Sequence, residues 1–325
     1  MIRTAIARTL EAGVPLGRPI AKLHGVVAAR AIARPLIAPR AAKIVCVGGA
    51  TLGGSGKTRV ALAVVRALAA SGMRVALVGH AYRASPARAR VVSSRDALAE
   101  VGDEALSCAR ALDLEPGAWS LEPRAWSLKP EAFVAPTRQE AVDLAAARGA
   151  QLIVLDGPLQ TKPARAALSI LAVDRDAPWG SGAVAPAGDL RAPREALLAA
   201  SDLVVEVDAT PSDAILERLR GVRFGLFTAL ARPSRLVRAL ARRGLFPSAT
   251  VEVSDHGPFT RRAAREIRAA QSRVDLWLAT PKCALHFDCA TPLLVLEDRL
   301  CLTPSHMARL AALATEGVSS RVSPT

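Results

Sequence analysis

A mostly parallel α/β sheet with helices on both faces, followed by a smaller C-terminal α/β domain, is the fold class that the 325-residue sequence predicts. Three observations carry the prediction. From residue 43 short β-branched runs alternate with longer helical stretches, the sequence form of a parallel sheet with crossover helices. The first of these runs, Lys43–Val47, leads into Gly53-Gly54-Ser55-Gly56-Lys57-Thr58, a P-loop-like turn between strand and helix. A second, shorter series of alternations opens near residue 221.

Ahead of the first strand, residues 14–40 form a basic amphipathic segment. Ile20, Leu23, Val27, Ala31 and Ile32 stand at helical spacing, with Arg18, Lys22, Arg30 and Arg34 between them. Two readings stand: a helix lying in a membrane interface, or one packed on the domain core with its arginines solvated. Strands are expected at 43–47, 74–78, 151–155, 168–173 and 202–207, with helices at 58–70, 103–112 and 138–148. The second series comprises strands at 222–227, 250–253, 274–279 and 292–296 and helices at 234–243 and 261–270. The expected division is therefore an N-terminal membrane-associating segment (1–40), a P-loop nucleotide-binding domain (41–220) and a smaller α/β domain (221–325) that closes over the site. One segment breaks the alternation: Glu115-Pro-Gly-Ala-Trp-Ser-Leu is repeated as Glu122-Pro-Arg-Ala-Trp-Ser-Leu before Lys129-Pro130. Proline in each copy excludes a helix interior and predicts an inserted loop.

Composition narrows the class. Hydrophobic residues at 51% against 22% charged argue for a globular chain rather than a disordered one. Mean hydropathy is +0.24, yet no run reaches the roughly 20 apolar residues of a spanning helix. Arg3, Arg8 and Glu11 interrupt the place of a secretory h-region, so a cytoplasmic location is expected. Cys46, Cys108, Cys283, Cys289 and Cys301 have no metal-ligand spacing. The net charge of +14 favours anionic partners, although an arginine-rich genome would give the same balance. Aromatic residues at 3% leave little for base stacking, and no nucleic-acid partner is expected.

Phosphate binding requires converging backbone N–H groups, glycines that let the backbone approach, a helix N-terminus and a lysine for the outer phosphates. Gly53, Gly54, Ser55, Gly56, Lys57 and Thr58 meet these needs, and the Thr58 hydroxyl is placed for Mg²⁺. ATP and Mg²⁺ are the cofactors implied. Thr51 stands where the strict P-loop pattern has its first glycine, and it is counted with the nucleotide-binding residues. Asp156 follows the run Gln151–Leu155 and suits a metal-supporting carboxylate, or the start of a turn with Gly157-Pro158.

With these motifs in order, the chain resembles the tetraacyldisaccharide 4′-kinases, which phosphorylate the lipid A precursor at the inner membrane surface. The resemblance runs from about Pro15 to Thr303. Besides the glycine-rich loop it rests on Val101-Gly102-Asp103-Glu104, Leu155-Asp156 with Gln160, Gly180-Ser181-Gly182 and Pro186-Ala187-Gly188-Asp189-Leu190-Arg191-Ala192-Pro193. Ser254-Asp255-His256 before Phe259, and Thr280-Pro281-Lys282, complete it. The resemblance implies ATP-dependent phosphorylation of the 4′-hydroxyl of a tetraacyldisaccharide 1-phosphate by a peripheral protein on the cytoplasmic face of the inner membrane. It implies that Asp103 helps deprotonate that hydroxyl with His256 as partner, and that Glu104 and Asp156 support metal and phosphates. Without the family, Asp103-Glu104 also reads as an acidic pair favoured by a helix dipole, and His256 as a structural histidine. Arg18, Lys22 and Arg191 are candidate contacts for the substrate phosphate, and His80 lies in the acceptor pocket.

Several positions depart from the family pattern. Gly79-His80-Ala81-Tyr82-Arg83 replaces Ser-Arg-Gly-Tyr-Gly, Asp156-Gly157 replaces a paired Asp-Asp, Thr161 replaces a histidine, His256-Gly257 replaces a doubled His, and Thr280-Pro281-Lys282-Cys283 replaces Thr-Glu-Lys-Asp. Two acidic groups are lost, which motivates a rival reading: a regulatory ATPase or switch protein whose basic surface binds a partner. A kinase for another membrane glycolipid is the third.

Overall fold

The computed structural model describes residues 9–10, 12–14, 18–31, 33–82, 84–113, 129–157, 159–162, 165–296 and 300–315. The duplicated stretch at 115–128 and Arg83 lie outside them, as does the side chain of Arg18. In chain order the first elements are α1 (Arg18–Ala31), β1 (Ala33–Pro35), β2 (Lys43–Gly49), α2 (Lys57–Ala70), β3 (Val75–Val78) and β4 (Arg90–Val92). Then come α3 (Leu98–Val101), α4 (Asp103–Asp113), β5 (Glu131–Val134), α5 (Arg138–Ala147), β6 (Leu152–Gly157), β7 (Gln160–Lys162), β8 (Leu168–Asp174), α6 (Arg194–Ala199) and β9 (Leu203–Val207). The remainder is α7 (Asp213–Leu219), β10 (Phe224–Thr228), α8 (Pro233–Arg242), β11 (Ala249–Glu252), α9 (Arg261–Ala269), β12 (Leu276–Ala279), α10 (Pro281–Ala284), β13 (Leu293–Val295) and α11 (Pro304–Thr315).

The larger sheet has seven strands in the order β4-β5-β3-β6-β2-β8-β9, parallel except for β4 against β5. Its central strands are apolar on both faces, as strands covered by helices on both sides must be. Val45 and Val47 of β2 face one core with Val60 and Val64 of α2, whereas Ile44 and Cys46 face another with Ala141 and Val142 of α5. Burial pushes the Cys46 thiol up to about 12, so this cysteine serves as packing. The register sets Val47 beside Asp156 and Gly48 beside Gly157, which puts the β6 carboxylate next to the loop that leaves β2.

The smaller sheet is wholly parallel, in the order β11-β10-β12-β13. Phe227, Phe259 and Phe287 meet on one side of it with ring centroids 5.1–6.1 Å apart, in the tilted and edge-on arrangements that aromatic rings prefer. α11 departs from the expected division of the chain. Leu310, Leu313 and Ala314 of this helix pack into the core of the larger sheet, and Lys43 donates to the Leu313 carbonyl at 3.4 Å. Helix α11 thus returns to the larger sheet. Strands β1, β4, β5 and β7, the short helices α3, α6, α7 and α10, and α11 are additions to the elements read from sequence.

Candidate active site

The turn after β2 begins on buried Thr51, whose hydroxyl donates to the Gly53 carbonyl at 2.9 Å. Thr51 therefore shapes the loop from beneath. Its main chain bridges to Leu190, the Leu52 N–H donates to the Asp189 carbonyl, and Arg191 Nε donates to the Thr51 carbonyl at 3.0 Å. The Pro186–Pro193 stretch is thus the brace of the loop, and Arg191 is bound into that brace. Gly53, Gly54 and Gly56 have φ of +92°, +72° and +73°. Gly56 is the N-cap of α2, and a Cβ there would sit 2.5 Å from Val207 Cγ1, so no other residue fits without displacement. Ser55 is buried at the same turn.

Lys57 and Thr58 open α2 and both reach Asp156, which is 2% exposed. Lys57 Nζ lies 3.0 Å from Asp156 Oδ1 and 3.6 Å from Glu104 Oε2, and Thr58 Oγ1 donates to Asp156 Oδ2 at 2.6 Å. Burial alone would lower the Lys57 pKa, but the two carboxylates outweigh it and hold the ammonium charged. A hydroxyl and two carboxylates are hard oxygen donors of the kind Mg²⁺ takes, and Mg²⁺ is normally completed by substrate phosphates rather than by an all-protein cage. Thr58, Asp156 and Glu104 therefore fit that ion.

The neighbouring residue points the other way. Asp103, at the head of α4 and 2% exposed, accepts from His256 Nδ1 at 2.7 Å (Oδ1) and 2.8 Å (Oδ2). His256 comes from the turn after β11, 153 residues downstream, and has an unusual φ of +54° for a residue with a side chain. Its Nε2 lies 3.1 Å from Lys282 Nζ, which also reaches Asp255 at 3.3 Å. His286 Nε2 stands 2.9 Å from Asp103 Oδ2. Burial opposes ionisation of Asp103, yet the hydrogen bonds from His256 and His286 and the charge of Lys282 hold its carboxyl well below the usual carboxylate range. Tyr82 stacks on the His256 ring with centroids 4.2 Å apart, and His80 stands beside Tyr82 at 6.1 Å.

A family profile described as tetraacyldisaccharide-1-P 4′-kinase (LpxK) matches residues 15–218. The tetraacyldisaccharide 4′-kinase of Methylobacterium sp. (strain 4-46) is 31% identical, with 94% of each chain covered. The chain belongs to the tetraacyldisaccharide-1-P 4′-kinase family. The Nitrobacter winogradskyi enzyme of the same name is 30% identical over 81% of this chain and 79% of its own. Among solved structures, LpxK from Aquifex aeolicus in complex with ATP superposes with a TM-score of 0.60 at 17% identity, covering 98% and 99% of the two chains, and so shares the fold.

Within this 4′-kinase scaffold one departure, Gly157, has a local counterpart. Gly157 has φ of +134°, and a Cβ there would lie 3.0 Å from Arg138 Nη2. The guanidinium at the start of α5 fills the space that a second carboxylate side chain would need. Arg138 was not legible as a site residue, because only the β6–α5 packing brings it to Asp156. His286 beside Asp103, and Arg232 and Arg235 of the α8 turn over the P-loop, likewise acquire their places only through distant packing, whereas Lys282 stands in the motif Thr280-Pro281-Lys282. Arg235 Nη1 donates to the Gly54 carbonyl at 2.7 Å and pairs with Asp174 at 3.2 Å. Arg232 pairs with buried Asp189, whose carboxylate also accepts from the Ser181 N–H and Oγ at 2.7 and 2.8 Å. Gly180–Gly182, the brace and the smaller sheet are thereby one connected unit.

Lys22 is exposed on α1, away from these contacts. The helix turns Ala21, Gly25 and Ala28 inward and leaves Ile20 (63%), Leu23 (73%) and Val27 (58%) exposed. Gly25 rests on Pro193, at the end of the brace. Among the described residues no helix is long and apolar enough to cross a membrane.

Proposed function

We propose that the protein transfers the γ-phosphoryl group of ATP to the 4′-hydroxyl of tetraacyldisaccharide 1-phosphate in lipid A biosynthesis, working as a peripheral protein on an anionic membrane surface, the cytoplasmic face of the inner membrane. The single observation that carries this reading is the pair of consecutive residues at the head of α4. Glu104 reaches Lys57 of the P-loop while Asp103 holds His256, so phosphate binding and proton removal meet on one helical turn.

In this reading the loop amides of Gly53–Thr58 and the Lys57 ammonium bind the outer phosphates, a task that is mostly positioning and charge neutralisation. Mg²⁺, held by Thr58, Asp156 and Glu104, would neutralise charge on the transferring phosphoryl group. A sugar hydroxyl is a poor nucleophile at neutral pH, and a placed base contributes about 10²- to 10⁴-fold. The Asp103–His256 pair takes that proton. Asp103 orients the imidazole by accepting from Nδ1, which makes Nε2 the acceptor end once Lys282 Nζ, 3.1 Å from it, turns to Asp255. Arg191 and Arg138 add positive charge around the reacting phosphates, and the exposed side of α1 docks the chain on the lipid surface. A helix packed for a core would bury Ile20, Leu23 and Val27; this one presents them beside Lys22 and Arg30, the pattern of an interfacial helix.

Two measurements test the reading. Full-length protein, labelled ATP, Mg²⁺ and the disaccharide 1-phosphate in detergent should give labelled lipid, and Lys57→Ala should give none; equal transfer by the two, or ATP hydrolysis with no lipid product, rejects it in favour of a regulatory ATPase. Co-sedimentation with phosphatidylglycerol vesicles should weaken about tenfold or more in Leu23→Ser/Val27→Ser, since each side chain fully buried in lipid is worth about 1.5–3 kcal/mol. Unchanged sedimentation removes α1 from the docking surface.

A further inference from the structure

We propose that His286 is a positioning residue for acceptor activation: it fixes the Asp103 carboxylate for its work with His256. The inference rests on the kinase reading above and adds a group outside the motifs that led to it.

His286 is 6% exposed and sits just after α10, on the smaller sheet. Its place is rigidly determined. The Thr280 hydroxyl accepts from the Cys283 N–H at 3.3 Å, Cys283 Sγ accepts from the Ala229 N–H at 3.2 Å, and the His286 N–H donates to the Cys283 carbonyl at 3.0 Å. One residue on, Phe287 packs on Phe227 with centroids 5.1 Å apart. The backbone is thus anchored on both sides of the imidazole.

The ring uses only one of its nitrogens. Nε2 meets Asp103 Oδ2 at 2.9 Å across 183 residues of sequence, whereas buried Nδ1 has no hydrogen-bond partner among the described residues. Buried polar groups are normally hydrogen-bonded, so the one bond this imidazole makes is the contact its placement secures. Here the satisfied one goes to an ionised carboxylate that faces His256 and Lys282 as well, with Asp255 behind Lys282. His256 Nδ1 straddles both oxygens of Asp103, at 2.7 and 2.8 Å, and alone leaves the carboxylate free to rock about that single nitrogen. The second donor, on Oδ2, removes this freedom. Both donors belong to the smaller sheet and the carboxylate belongs to α4 of the larger one, so Asp103 is oriented only while the two sheets are docked.

The test uses full-length protein in the labelled-ATP assay, comparing wild type with His286→Leu, which fills the space without a donor, and His286→Gln, whose amide N–H can take the place of Nε2. Hydrogen bonds to charged groups are worth enough that His286→Leu should lose about tenfold to a hundredfold in kcat. KM for ATP should stay within about twofold, because the lost contact is absent from nucleotide binding. His286→Gln should recover most of the rate. A His286→Leu protein as active as wild type overturns the inference, as does a folded His286→Gln that loses as much as His286→Leu, or a loss confined to KM. Should His286→Leu fail to show a cooperative melt, His286→Phe takes its place: a loss of tenfold or more in kcat that His286→Gln does not share supports the role, and wild-type kcat in His286→Phe overturns it. No transfer by wild type under the same conditions rejects the kinase reading itself, and this inference with it.

Discussion

The two halves of the site are built on different principles. The phosphate half is backbone: one contiguous turn, three left-handed glycines and the first turn of α2, set at the end of β2 in the larger sheet. The proton half is side chain: Asp103 from one sheet, His256, Lys282 and His286 from the other, gathered across more than 150 residues. The first can hold an anion by itself, since its donors are fixed by local conformation. The second exists only when the sheets dock, so on the proposed reading acceptor chemistry is conditional on a long-range contact and nucleotide binding much less so.

The buried Asp189–Arg232 pair tests that contact most severely. Asp189 is 0% exposed, and removing its partner leaves an uncompensated charge, which typically costs about 3–5 kcal/mol. Arg232→Met should therefore lower unfolding stability by that order in a denaturant titration. Arg232 Nε and Nη1 are themselves buried without hydrogen-bond partners among the described residues, so the pair is incompletely satisfied. Arg232→Met/Asp189→Asn should then recover most of the loss. If the two changes are instead additive, the sheets are not joined through this pair.

A second variant separates the halves from the other side. Gly56→Ala forces a side chain into φ of +73° and against Val207, displacing Lys57 and Thr58. A displacement of about 1 Å at reacting groups can cost about a hundredfold, and kcat/KM should fall at least that far. The Asp103–His256 contact lies on another element and should persist, visible as an unchanged His256 ring environment by NMR. Collapse of both together would show that the halves are not separable.

The same contrast explains what could be read in advance. Five strands of the larger sheet and the P-loop helix were legible because fully buried parallel strands are continuous apolar runs, and because a phosphate loop is local chemistry. β5, only four residues long and placed after the duplicated insert, carried no such signal. Asp103 and His256 were found through family motifs, and the structure brings them together. His286, Arg138 and Arg232 were not found, since each acquires its role from a partner far away in sequence. Arg191 and Thr51 carry a role that their motifs do not announce, since their bonds also brace the loop. Residues 304–315 fall inside the expected smaller domain, 221–325, whereas the helix they form, α11, turns its apolar face to the larger core.

The smallest expected effect concerns His80, where the two halves touch through Tyr82. Burial, and after it the positive charge of Arg138, hold the His80 imidazole below its ordinary value of 6.5. The folded chain therefore binds fewer protons at this residue than the unfolded chain does in the window just below 6.5, and stability must fall as pH falls through it. The contribution is fully present above the unfolded value and gone below the folded one. His80→Gln removes this dependence, so its stability should change less than that of wild type between neutral and mildly acidic pH, by an amount reduced because the ring is partly exposed. Parallel pH profiles of unfolding for the two proteins would show that His80 takes up its proton as easily in the fold as outside it. Neither burial nor the charge of Arg138 would then bear on His80 in the folded chain.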